Sequence, residues 1–190
     1  MKSFKIKGME EEFVSFDTIG DGSCLLHSIL FCFNKKYRES SFRERILMVH
    51  HLRNCLAKVL EEKNNITGET YYKELSRGEI EQLSKEVPEL NLNSMQKYLS
   101  SRNYLNMFFL ELISEQLDID IYIINSHNGT IYMTGDEDIY YKERRSVIIK
   151  YIDQAHFEAV GYKGEKIETL FHKDSFIIKE LRGIMKEKNK

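Results

Sequence analysis

Apolar positions set the first elements. Leu25, Leu26, Ile29, Leu30, Phe31 and Phe33 form a dense run that predicts a buried helix over about 23–33. A polar break, Asn34-Lys35-Lys36-Tyr37-Arg38, ends it. Val49, Leu52, Leu56 and Val59 then step by three or four, so a second helix buries one face. It should start near Ser40 or Ser41, because Ser41 and Glu44 have the spacing of a capping box. It should fade near Asn64-Asn65, with Gly68 just beyond. A short helix over 79–87 must stop before Pro88, since proline pushes the preceding residue out of the α region. A longer one is expected over about 94–117, broken near Arg102-Asn103. Its stripe Leu105, Phe108, Phe109, Leu112, Ile113 and Leu117 reads as core.

After Leu117 the period changes. Ile119-Asp120-Ile121-Tyr122-Ile123-Ile124 is β-branched and aromatic, hence a strand. Ser126-His127-Asn128-Gly129 is a hairpin turn, leading to a second strand over 130–134. Beyond the acidic loop Asp136-Glu137-Asp138 come strands over 146–152 and 157–162, the latter opened by His156 and closed by Lys163-Gly164. Residues 167–170 should pair briefly, and 174–186 should form a terminal helix. At the other end, residues 1–12 are polar, with Phe4 and Ile6 suited to a short edge strand. The order implies an α/β, α+β-like fold with helices packed around a small, mostly antiparallel sheet.

Composition narrows the class. A chain of 190 residues, 42% hydrophobic and 31% charged, suits one domain with a substantial core. Net charge is -2, which gives no basic footprint for nucleic acid. No run approaches the ~20 apolar residues of a membrane span, and the first residues do not resemble a signal peptide. The three cysteines, Cys24, Cys32 and Cys55, cannot all pair and form no CxxC, which points to a reducing compartment and gives no zinc framework.

Candidate chemistry begins at Gly20-Asp21-Gly22-Ser23-Cys24. Two glycines mark a tight turn, and Cys24 follows at the predicted start of a helix. Unpaired N–H groups and the positive end of the dipole stabilise a thiolate there and can hold an oxyanion. The same cysteine could equally be inert packing. A nucleophile needs a base. Of six histidines, His27 shares the helix of Cys24, His50 and His51 sit on an amphipathic helix, and His127 and His172 lie in polar stretches. His156 instead opens an apolar strand directly after a loop, a usual place for catalytic groups.

The segment Asp21-Gly22-Ser23-Cys24-Leu25-Leu26-His27-Ser28-Ile29 resembles the nucleophile motif of the ovarian tumour (OTU) family of deubiquitinating cysteine proteases, and His156-Phe157 resembles its C-terminal His-aromatic motif. The resemblance spans about 13–162 and implies one OTU-type, papain-like catalytic domain over 1–190, with a helical extension over about 173–187. It implies a thiol isopeptidase that cleaves after the C-terminal glycine of ubiquitin, or of ubiquitin-like modifiers, on ubiquitinated proteins. Cys24 would be the nucleophile and His156 the base, and Asp21 would shape the loop so that the N–H groups of Gly22, Ser23 and Cys24 meet the oxyanion. No cofactor or metal is implied, and a monomer is expected.

Two departures stand out. Family members often carry Asp or Asn two residues after the histidine, where this chain has Glu158. Residues i and i+2 of a strand share a face, so Glu158 is expected to reach the His156 ring, with Asp17 as the alternative third group. Many members carry Trp-Gly-Gly where this chain reads Asn103-Tyr104-Leu105-Asn106-Met107, which bears on the substrate side more than on the chemistry. The stretch 34–100 should supply ubiquitin-binding surface, and Asp136-Glu137-Asp138 is a candidate partner for a basic ubiquitin tail. A cytoplasmic location is expected. The Lys-, Asn-, Ile- and Tyr-rich composition hints at an AT-rich genome such as that of a large DNA virus or intracellular bacterium, so a role in the host cytoplasm. The competing readings are a catalytically silent ubiquitin-binding module and another thiol acyl-transfer enzyme.

Overall fold

Alternation along the strands builds two cores. In β3 (Ile119–Asn125), Ile119, Ile121 and Ile123 enter one core while Tyr122 and Ile124 enter another. In β5 (Arg145–Ile152), Val147 and Ile149 separate from Ile148 in the same way. In β6 (His156–Lys163), Phe157 and Ala159 separate from Val160. Both faces of the sheet are therefore covered, which is why these strands read as nearly continuous apolar runs.

The computed structural model describes residues 1–65, 67–72, 91–105, 109–133, 143–153 and 155–188. The expected helix over 79–87 and the Asp136-Glu137-Asp138 loop lie outside them. With β1 (Lys2–Lys5), β2 (Glu12–Phe16) and β4 (Ile131–Met133), the strand order is β1-β2-β6-β5-β3-β4. β7 (Ile167–Glu168) pairs with β6, and β8 (Leu170–Phe171) with β5. The sheet has eight strands, with β1 as the N-terminal edge expected around Phe4 and β7 and β8 as the brief pairing expected over 167–170. β3 and β5 run parallel, and the remaining pairs are antiparallel.

On one face lie α1 (Cys24–Phe33), α2 (Lys35–Glu39) and α3 (Phe42–Val59), followed by α4 (Leu92–Ser100) and α5 (Leu110–Leu117). Ser41 and Glu44 form the expected capping box at the start of α3. That helix stops at Val59, earlier than expected, and the chain turns back so that Lys63 bridges Thr70. The helix expected over 94–117 is two. Between them Leu105 donates its N–H to Gly22 O at 2.9 Å rather than to a helical carbonyl. The terminal helix α6 (Phe176–Lys188) covers the opposite face through Ile177, Ile178, Leu181 and Met185. No helix among the described residues is long and apolar enough to cross a membrane.

Candidate active site

The loop that precedes Cys24 is held from three sides. Gly22 has φ +87°, and a Cβ there would lie 2.2 Å from the Arg102 carbonyl oxygen, so only glycine fits. Asp21 Oδ1 accepts the Ser23 N–H at 3.0 Å. Of the three amides expected to face an oxyanion, that of Ser23 is thus already engaged, whereas Gly22 N–H has no hydrogen-bond partner among the described residues. Behind the loop, Arg53 of α3 is fully buried. Its guanidinium donates to Ser23 Oγ at 3.0 Å, Leu99 O at 2.6 Å and Tyr98 O at 3.1 Å.

Cys24 is the first residue of α1 and is 2% exposed. Burial pushes its thiol up, and the Asp21 carboxylate adds to that push. Backbone N–H groups of Phe157, Leu25 and Cys24 itself act in the opposite direction. The helix-terminal field expected to favour a thiolate is therefore present but outweighed by the loss of water. The contact with Phe157 places the sulfur beside the residue that follows His156.

Side-chain bonds stitch the two motifs together. Thr18 Oγ1 donates to Phe157 O at 2.6 Å and lies 3.4 Å from Ser28 Oγ, which in turn donates to Cys24 O at 2.7 Å. A Cβ on Gly20 would sit 4.0 Å from His156 Cε1, so the imidazole stands against the loop. No hydrogen bond joins Cys24 Sγ to His156 among the described residues.

The carboxylate beside the imidazole is that of Asp17, not Glu158. Asp17 Oδ1 is 3.3 Å from His156 Nε2. Pairing of β2 with β6, which sets Phe16 opposite Ala159, delivers Asp17 to the start of β6. Glu158 is 5% exposed, sits cross-strand from Lys150, and has a buried Oε2 with no hydrogen-bond partner among the described residues. It alternates with Phe157 and Ala159, which pack with Cys24, and so belongs to the sheet face opposite α1.

Several site residues carried no sequence motif. The Tyr104 ring stacks on Phe157 at 6.5 Å and 19°, and its carbonyl accepts from Tyr98 Oη. Burial pushes the Tyr104 hydroxyl well up. His27 and Tyr37 lie behind Asp21. His50, His51, His127 and His172 are exposed. Among the described residues no group of His, Cys, Asp and Glu could hold a metal ion. An open cleft of ≈ 470 Å³ runs along residues 17–21 and is walled by Phe31, Phe42 and Arg45.

No family model matches the sequence, and no curated protein matches it. Solved structures do match its fold. An OTU domain in complex with ubiquitin is similar over 94% of this chain and 85% of its own, with TM-score 0.59 and 13% identity. The viral OTU domain protease of Taggert virus is similar over 87% and 88%, with TM-score 0.52 and 13% identity. An OTU deubiquitinase from Wolbachia pipientis is similar over 90% and 96%, with TM-score 0.51 and 15% identity. A mixed sheet with helices on both faces, matched over most of its length by these domains, gives this chain the fold of OTU domains.

Proposed function

We propose that the chain is a cysteine deubiquitinase acting on the C-terminal glycine of ubiquitin. The observation that carries this is the meeting of two motifs: the sulfur of Cys24 lies against Phe157, while the adjacent His156 is gripped by Asp17. With Nε2 turned to Asp17, His156 keeps Nδ1 for the thiol. In this reading His156 takes the proton as Cys24 attacks the carbonyl, and the N–H groups of Gly22 and Cys24 hold the oxyanion. His156 then gives its proton to the departing lysine amine, leaving a thioester that water hydrolyses. Asp17 orients the imidazole and stabilises its charged form, and Asp21 shapes the loop. A raised thiol pKa fits proton removal during attack rather than a standing thiolate. No step requires a cofactor.

Ubiquitin as partner is supported by the OTU neighbour solved with ubiquitin bound. Hydrolysis of a ubiquitin C-terminal fluorogenic amide tests the reading. Wild type should turn over, and Cys24→Ala and His156→Ala should not. The missing Cys24–His156 hydrogen bond favours a second reading, a silent ubiquitin-binding module. That reading predicts binding of ubiquitin without turnover.

A further inference from the structure

One buried cluster lies behind the nucleophile loop and takes no part in the steps above. His27 of α1, followed by the buried Ser28, is completely buried, and Tyr37 of α2 is nearly so. His27 Nδ1 is 2.6 Å from Tyr37 Oη. Its Nε2 is 3.2 Å from Asp21 Oδ1 and 3.3 Å from Oδ2. Asp21 Oδ1 also accepts the Ser23 N–H, one peptide before Cys24. A carboxylate only accepts, so the Nε2 facing it carries the proton. A neutral imidazole then has a bare Nδ1, which accepts from the Tyr37 hydroxyl. All three groups are satisfied by this one arrangement.

The surroundings hold it in place. Burial lowers the His27 pKa, the Asp21 carboxylate opposes that, and the Arg45 guanidinium adds to it. Burial also pushes the Tyr37 hydroxyl up to about 12, so it remains a donor. Arg45 lies 5.3 Å from the Tyr37 ring centroid and donates through Nε to Tyr37 O at 3.0 Å. Tyr37 is thus fixed from outside, and His27 from Tyr37.

We propose that His27, set in its Nε2–H tautomer by Tyr37, is a positioning residue that clamps Asp21 and thereby aims the N–H groups of Gly22 and Cys24 at the oxyanion. This rests on the cysteine deubiquitinase reading above. His27 touches neither substrate nor sulfur, and it acts through Asp21.

Two amide substitutions separate the two ring nitrogens. The amide nitrogen of His27→Gln reaches the place of Nε2 and keeps a donor for Asp21. That of His27→Asn reaches only the place of Nδ1 and loses Asp21. Displacing reacting groups by about 1 Å can cost roughly 10²-fold in rate. For the ubiquitin amide, His27→Gln should keep kcat within a few-fold of wild type, while His27→Asn should lose kcat roughly 10²-fold with KM little changed. Alkylation of Cys24 by iodoacetamide uses no oxyanion hole and should match wild type in both. Amide exchange at Ser23 should stay slow in wild type and His27→Gln and become fast in His27→Asn.

Equal losses in both variants that track their melting temperatures would mean plain packing and overturn the proposal. So would full activity in His27→Asn. An inert wild type would sink the deubiquitinase reading instead. The exchange comparison still decides the clamp in that case, since similar Ser23 exchange in all three proteins refutes it.

Discussion

Replacing Arg53 should loosen both the core and the loop before Cys24. The side chain is 1% exposed and donates to three acceptors on two other segments, Ser23 Oγ, Leu99 O and Tyr98 O. Arg53→Met fills much of the same volume but donates nothing. A hydrogen bond to a charged group contributes about 1.5–3 kcal/mol, so three lost bonds come to roughly 5–9 kcal/mol in gross terms. Removing a buried cation recovers several kcal/mol of desolvation, leaving a net loss of roughly 3–4 kcal/mol. At 2–4 °C per kcal/mol for a chain of this size, the melting temperature should fall by roughly 10 °C. Arg53→Lys should fare little better, because one ammonium cannot span acceptors arranged for a planar fork. Thermal and urea unfolding followed by circular dichroism measure the loss. A shift below about 2 °C in Arg53→Met, with an unchanged urea midpoint, would refute the claim that this guanidinium ties α3 and α4 to the loop.

Gly22→Ala forces a Cβ onto the Arg102 carbonyl at positive φ. It should destabilise the protein by roughly 2–4 kcal/mol in denaturant titration, and a near-neutral effect would contradict the packing described. Burial raises the Cys24 pKa, so its alkylation, followed by peptide mapping to separate it from exposed Cys55, should have a midpoint above the ordinary value of about 8.5. Because the folded state holds that proton more tightly, the associated stability is present below the ordinary thiol pKa and is lost as pH rises through the folded one; a Cys24→Ser variant should show less alkaline loss. Asp17 is 83% exposed, so its pull on the imidazolium at 3.3 Å is screened to about 1 kcal/mol, and Asp17→Asn should lower kcat/KM by roughly tenfold. Glu158→Gln should leave kcat/KM near wild type; a larger loss there than in Asp17→Asn would reverse the assignment.

Much of the fold was legible because burial imposes period. The apolar run after Cys24, the Ser41–Glu44 box and the β-branched strands each announce an element whose main requirement is local. The division of helices between the two faces was not legible, since it depends on chain direction after β8 rather than on any pattern within α6. Cys24 and His156 stood out through their motifs. Asp17 stood second to Glu158 because its place beside His156 arises from the register of β2 on β6, which no local signal encodes. Arg53 left a trace in the sequence: it falls four after Val49 and three before Leu56, a charge inside an apolar stripe. His27, with Ser28 one of two polar side chains in an otherwise apolar helical run, left the same kind of trace.

The proposed function requires that the protein bind ubiquitin and that Cys24 be its nucleophile. The most direct test is reaction with ubiquitin bearing an electrophilic C-terminus, followed by mass mapping of the adduct, in wild type, Cys24→Ala and His156→Ala. A single covalent adduct at Cys24 is expected in wild type, none in Cys24→Ala, and strongly slowed capture in His156→Ala. Capture at Cys55, or no capture by a folded wild-type protein that still binds ubiquitin, would contradict it.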